Sequence, residues 1–177
     1  MRLVIPVLVT VFAFAAMAEA PAPAALDAAV AELRAVRGEG VARECAGGLR
    51  NSADDLASFV GRDQLLDASV GVGFSSTYVT TIHRDARGVS LRFNDGERVL
   101  VKALTPRDDA RIRAALAAVV AGERRVFHEG IADGSCRLFA TGGQIRLVRA
   151  DEDTLMDQGV DAIERYDHLL HQLMPGR

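Results

Sequence analysis

The sequence predicts an α+β domain: an antiparallel sheet built from two strand meanders, each followed by a helix, with helices ahead of the first meander. Three observations carry this reading. Residues 88–104 alternate apolar and polar side chains with period two on either side of Asn94-Asp95-Gly96. Thr105-Pro106-Arg107-Asp108 then supplies the chemistry of a helix start. A second pair of alternating runs, Ser135 to Thr141 and Gln144 to Arg149, meets at Gly142-Gly143.

The N-terminus comes first in chain order. Met1-Arg2, the apolar run Leu3 to Phe14 and the small residues of Ala16-Met17-Ala18 have the three parts of a secretory signal peptide. The expected organisation is residues 1–18 as signal peptide, 19–40 as linker and N-terminal helix, and 41–177 as the α+β domain. The apolar run is short for a bilayer span, so no stable membrane span is expected after cleavage. With 177 residues, 49% hydrophobic content and a mean hydropathy of +0.12, the chain is long enough for one domain with a sizeable core. Aromatic residues are only 5% and Trp is absent, so that core must be built mainly from Ala, Val, Leu and Ile.

Leu26, Val30, Leu33 and Arg37 recur at helical spacing, predicting a helix over 24–36 that stops near Gly38-Glu39-Gly40. Cys45 falls in the segment after it, and Asn51 or Ser52 is placed to cap a second helix with Asp54 and Asp55 in its first turn. From Ser69 the period changes, with Val70, Val72 and Phe74 alternating and Thr77 to His83 rich in β-branched residues. In the central hairpin, a three-residue Asn94-Asp95-Gly96 loop pairs Leu91 with Val99 and Val89 with Val101, keeping Arg98 and Lys102 off the apolar face. Ile112, Leu116 and Val119 then mark one face of a helix ending at Gly122.

Further on, Arg125 to Glu129 reads as a strand, and the Gly142-Gly143 turn pairs Ala140 with Ile145 and Leu138 with Leu147. Cys136, Leu138, Ala140, Ile145 and Leu147 therefore share an inward face. The last element is a strongly amphipathic helix over 153–174, with Leu155, Ile163, Tyr166, Leu169, Leu170 and Leu173 on one arc. This order of elements resembles that of type III secretion chaperone-like domains, a likeness of arrangement that implies no function.

Candidate sites follow from residue chemistry. Cys45 and Cys136 are the only cysteines, and an even count in an exported protein reads as one disulfide. The overall balance of 21 Lys+Arg against 24 Asp+Glu hides a basic middle between acidic ends. Arg92, Lys102, Arg137 and Arg146 fall on the outward side of their strands in the predicted registers, a set that would offer guanidinium groups to an anionic ligand or an envelope protein. Nucleic acid is not an expected partner of an acidic, exported chain without a binding motif. Glu164, His168 and His171 lie on one side of the last helix, the spacing of a weak divalent-metal alternative. Cys136 with His128 is the sharpest enzymatic alternative, a thiol beside a base, though a disulfide would consume the nucleophile. No complete catalytic signature and no cofactor motif is present. The sequence thus points to a periplasmic or secreted binding or accessory protein, of the inhibitor or immunity-like kind found in the bacterial envelope. The Arg-rich, nearly Lys-free composition and the signal shape suggest the bacterial source.

Overall fold

The computed structural model describes residues 23–70, 77–122, 135–150 and 161–177. Three helices open the chain: α1 (Pro23–Arg37), α2 (Glu39–Asn51) and α3 (Ala53–Val60). Strands β1 (Gln64–Val70), β2 (Tyr78–Asp85), β3 (Gly88–Asn94) and β4 (Val99–Ala103) follow, then α4 (Pro106–Ala121), β5 (Ser135–Thr141), β6 (Gln144–Ala150) and α5 (Asp161–Leu173). The strands form one antiparallel six-stranded sheet in the order β4-β3-β2-β1-β5-β6, so the predicted α+β class is the one adopted. Strand β1 sits between the two meanders and joins them.

Both faces of the sheet are covered. On one face α4 and α5 pack over Leu66, Ile82, Leu91, Phe93 and Phe139, burying Ile112, Leu116, Tyr166 and Leu170 completely. On the other, α1 and α2 bring Leu33, Cys45 and Leu49 onto Val70, Cys136, Leu138 and Leu147. Each such large apolar side chain contributes about 1.5–3 kcal/mol by leaving water. Helix α1 belongs to this body, since Ala29 and Leu33 are buried in the second core.

Local chemistry explains the elements the sequence identifies. The Thr105 hydroxyl accepts the Asp108 N–H at 3.1 Å, Pro106 opens α4, and Ile112, Leu116 and Val119 face inward as spaced. Gly142 and Gly143, at φ of 56° and 77°, form the two-residue turn between β5 and β6. Its register pairs Ala140 with Ile145 and Leu138 with Leu147, as expected.

Three elements differ from expectation. Cys45 lies inside α2, not in a loop, because Ala42, Cys45 and Leu49 make one buried helical face that outweighs the poor helix propensity of Gly40, Gly47 and Gly48. Gly38, at φ 89°, is the break between α1 and α2. The central hairpin is in another register: Leu91 pairs with Lys102 and Phe93 with Leu100, across a four-residue loop. The reason is the Asp95 side chain, which accepts the Glu97 and Arg98 N–H groups and the Arg98 guanidinium, holding Arg98 within the turn. Leu100 then joins the α4/α5 core, while Val99 and Val101 face outward at 50% and 62% exposure. Finally, β1 begins at Gln64, before the alternation noted from Ser69. The expected strand at 125–129, together with Val72, Phe74, Leu155 and the start of the last helix, lies outside the described residues.

Cys45 and Cys136 form the expected disulfide, tying α2 to β5 across 91 residues of sequence with their Cα atoms 5.4 Å apart. Replacing both by Ala should lower stability by about 4–5 kcal/mol on the chain-entropy model, read as a lower urea midpoint. An unchanged midpoint would show that the cross-link adds nothing to the packed cores.

Candidate functional site

The second core does not fill all the space between the N-terminal helices and the β5–β6 hairpin. A half-open cleft of about 370 Å³ remains there. Leu26 of α1, Leu49 of α2 and Leu56 and Val60 of α3 form one side, and Leu65, Leu138, Ala140 and Ile145 form the sheet side. The glycine turn Gly142-Gly143 lies at its rim. The lining is overwhelmingly apolar; its polar residues are Asp63, Gln64, Thr141 and Gln144, of which Gln64 turns its amide oxygen to Arg113 of α4 at 3.1 Å, on the other face of the sheet. Pockets of this size and lining are the ordinary form of a small-molecule site.

Asp63, directly after α3, is the charged group of the cleft and is itself almost fully buried. Its carboxylate accepts hydrogen bonds from the Thr81 hydroxyl at 2.9 Å, His83 Nδ1–H at 2.5 Å and Arg92 Nη1 at 2.8 Å. Those three donors stand on one side of neighbouring strands β2 and β3, because Thr81 pairs with Arg92 and His83 with Ser90. The half-exposed His83 ring also approaches Asp85, with Nε2 3.6 Å from its carboxylate. This cluster closes the end of the cleft and fixes α3 on the sheet.

Of the four cations expected on one outward surface, Arg92 is at this cluster. The other three are elsewhere. Lys102 is exposed on edge strand β4, opposite Leu91 and on the α4/α5 side. Arg137 and Arg146 are only 5% and 4% exposed, so the expected guanidinium-rich outward surface does not form. Their side of the strands is the opposite one to Cys136 and Leu138, as the alternation requires, but α4 and α5 cover it. Arg146 donates to the Val119 carbonyl at the C-terminal end of α4, a favourable place for a cation. Gly122 is required beside it, since a Cβ there would lie 2.8 Å from the Arg146 guanidinium.

Arg137 makes a denser set of contacts. It is bidentate to Asp67, through Nε at 3.1 Å and Nη2 at 2.8 Å, and bidentate to Asp167, at 2.7 and 2.6 Å. Burial opposes its charge, but the Asp67 carboxylate and the hydrogen bonds to Asp167 prevail and hold its pKa well above the usual value. The guanidinium also lies over the Phe139 ring, 4.8 Å from its centroid. Tyr166 packs edge-on against that ring, and no described residue hydrogen-bonds its buried hydroxyl.

The two alternatives resolve as follows. Cys136 is in the disulfide and carries no thiol, and His128 lies outside the described residues. Glu164, His168 and His171 are all exposed on α5. His168 Nε2 accepts from the Gln172 amide at 2.8 Å, and no group of three or more His, Cys, Asp or Glu converges for a metal among the described residues.

Comparison with protein-family models, with curated proteins and with solved structures gives no match. Function must therefore be read from the cleft and its surroundings.

Asp63→Asn should cost about 2–3 kcal/mol, because Arg92 loses its charged partner and one amide oxygen cannot accept from Thr81, His83 and Arg92 together, and urea unfolding measures it. The tyrosines set an alkaline limit. Burial, reinforced by Asp67, raises the pKa of Tyr78 and raises that of Tyr166 strongly, so the folded state keeps both phenols protonated where the unfolded chain has released them. Stability is thus intact below about pH 10, the unfolded value, and falls as pH rises beyond it. Tyr166→Phe should flatten that decline and leave neutral-pH stability unchanged or higher, since it removes a buried hydroxyl without a protein partner. A steep loss at neutral pH would contradict this.

Proposed function

We propose that this is an exported, disulfide-bonded binding protein of the bacterial envelope, and that its ligand is an amphipathic small molecule held in the cleft between α1–α3 and the β5–β6 hairpin. The carrying observation is the cleft itself: about 370 Å³, lined mainly by aliphatic side chains, with acceptor-bearing Asp63, Thr141 and Gln144 among its few polar residues. Such a lining favours an apolar body and a single donor group, the pattern by which few polar contacts orient a mostly buried ligand. Rigidity supports the reading. Leu49 lies one helical turn beyond Cys45 and Leu138 two residues beyond Cys136, so both walls are set by the disulfide.

Export is supported by the signal-like residues 1–18 and by a disulfide in a chain with one cysteine pair. Among the described residues no helix is long and apolar enough to cross a membrane. A mature chain beginning at Glu19, with no free thiol, is the expected intact mass of protein recovered from an oxidising compartment. A chain retaining Met1 with two free thiols would overturn the export reading.

The ligand reading is tested with N-phenyl-1-naphthylamine, an apolar fluorophore with one N–H donor. Saturable binding is expected, with at least tenfold loss in Ala57→Trp, which places an indole into the cleft from an exposed position on α3. No saturable binding, or equal binding by a folded Ala57→Trp variant, would sink the proposal.

A further inference from the structure

On the face of the sheet opposite the cleft, Asp67 and Asp167 bring two carboxylates together between β1 and α5. Asp67 is completely buried and Asp167 about one-third exposed. Arg137 balances one of the two charges. The second cation is Arg177, whose Nη2 is 3.3 Å from Asp67 and whose Nη1 is 3.8 Å from Asp167. Its guanidinium lies against two aromatic rings, 5.3 Å from the centroid of Tyr78 and 5.6 Å from that of Phe93. Carboxylates beside aromatic faces form the arrangement that selects a planar, weakly hydrated guanidinium over a strongly hydrated ammonium.

The two guanidiniums are held very differently. Arg137 belongs to β5 and makes four hydrogen bonds of 2.6–3.1 Å, so it is part of the wall. The Arg177 guanidinium makes one hydrogen bond at 3.3 Å and one longer ion pair, while its backbone N–H donates to the Met174 carbonyl at 3.1 Å. It reaches the carboxylates from the short segment after α5, whose Gly176 carbonyl accepts from exposed Arg98. Without Arg177 the buried site carries an uncompensated negative charge beside two aromatic rings. Two further buried hydroxyls flank this region. Thr80 pairs with Asp67 across β1 and β2, Tyr166 senses the Asp67 charge, and neither hydroxyl has a hydrogen-bond partner among the described residues.

We propose that this is a guanidinium-binding socket, formed by Asp67, Asp167, Arg137, Tyr78 and Phe93, which Arg177 fills in cis and into which an arginine side chain of a partner polypeptide exchanges. The socket is independent of the cleft, lying on the other face of the sheet. Displacing Arg177 exchanges one guanidinium for another, so the buried charge balance is kept throughout, whereas a ligand without a positive charge would leave Asp67 unpaired.

The protein carries its own reporter. Its only two tyrosines are Tyr78 and Tyr166 and it has no Trp, so intrinsic emission comes from the socket wall and from the ring packed edge-on against Phe139, over which Arg137 lies. The experiment titrates Arg177→Ala with methylguanidinium, with methylammonium, and with the peptides acetyl-Met-Pro-Gly-Arg-amide and acetyl-Met-Pro-Gly-Lys-amide. Expected is a saturable emission change with methylguanidinium and the Arg peptide, at least tenfold weaker with their ammonium counterparts, and at least tenfold weaker in the parent protein, where Arg177 competes intramolecularly. Asp167→Asn in the Arg177→Ala background should weaken it further. If Arg177→Ala does not fold, as judged by circular dichroism, Arg177→Lys replaces it, keeping a cation and giving up the planar fork. The proposal is overturned by no saturable change in the folded variant, by equal response to methylammonium, or by equal affinity in the parent. Binding of methylguanidinium without the Arg peptide would overturn the polypeptide partner. Because loss of naphthylamine binding has no bearing on this titration, the two sites fail or stand separately.

Discussion

The pairing of Asp67 with Arg137 is the constraint around which this fold is arranged. Asp67 sits on β1, the strand that joins the two meanders, is completely shielded from water, and yet carries a carboxylate. A buried charge is tolerated only with a partner of good geometry and with its remaining lone pairs satisfied. Arg137, two positions from the Asp67 partner Phe139 on neighbouring β5, meets that need bidentately, which fixes how β5 sits beside β1. Its Nη1, together with the shared Nη2, is then directed at α5, where Asp167 accepts both. One ion pair thereby specifies a strand neighbour and a helix position. Such a pair adds little net stability over an apolar substitute, so its effect lies in selecting one arrangement among several of similar hydrophobic burial.

The second consequence is asymmetry between the two faces. On the Asp67 side the interior is large and aromatic-bearing, with Tyr166, Phe139 and Phe93 among long aliphatic residues on α4 and α5. On the other side, Ala29, Cys45, Cys136 and Ala140 make a core of smaller side chains. Small residues bring α2 close enough to β5 for a disulfide but leave α3 and the end of α1 standing over space they cannot fill. The cleft is that shortfall, and the cross-link stops the walls from collapsing into it.

How much of this was legible in the sequence depends on how local its cause is. The α4 cap, the Gly142-Gly143 turn and the β5–β6 register are set by residues close in sequence, and they appear where their chemistry places them. The disulfide was legible because only one pairing exists. By contrast, β1 is buried on both faces and its alternation is interrupted between Leu65 and Asp67, so its first half has no period to read. The β3–β4 register was settled by the Asp95 side chain binding its own turn, which outweighed a preference for keeping Lys102 away from Leu91. The basic residues are the most instructive case. Arg137 and Arg146 were correctly assigned to the side opposite Cys136, but on a sheet covered on both faces "outward" means toward a second helical layer, where each meets a specific acceptor. The Asp63 cluster gave no signal in advance, since its members lie 18 to 29 residues apart and match no motif.

Strand β1 is also where the two sites meet. Its pairing with β2 is irregular between Leu65 and Asp67, where an extra residue interrupts the ladder. Leu65 faces the cleft, while both Leu66 and Asp67 belong to the α4/α5 side. Regular alternation would send Leu66 and Asp67 to opposite faces, leaving either the cleft without its sheet wall or Asp67 without Arg137. The irregularity thus lets a strand contribute an apolar wall to one face and a carboxylate to the other within three residues. It also bounds any influence of one site on the other: a shift of β1 along its axis would break the bidentate Asp67 contacts before it changed the lining of the cleft. The two sites are therefore held in place by the same strand, and the stiffness of the buried ion pair keeps them independent.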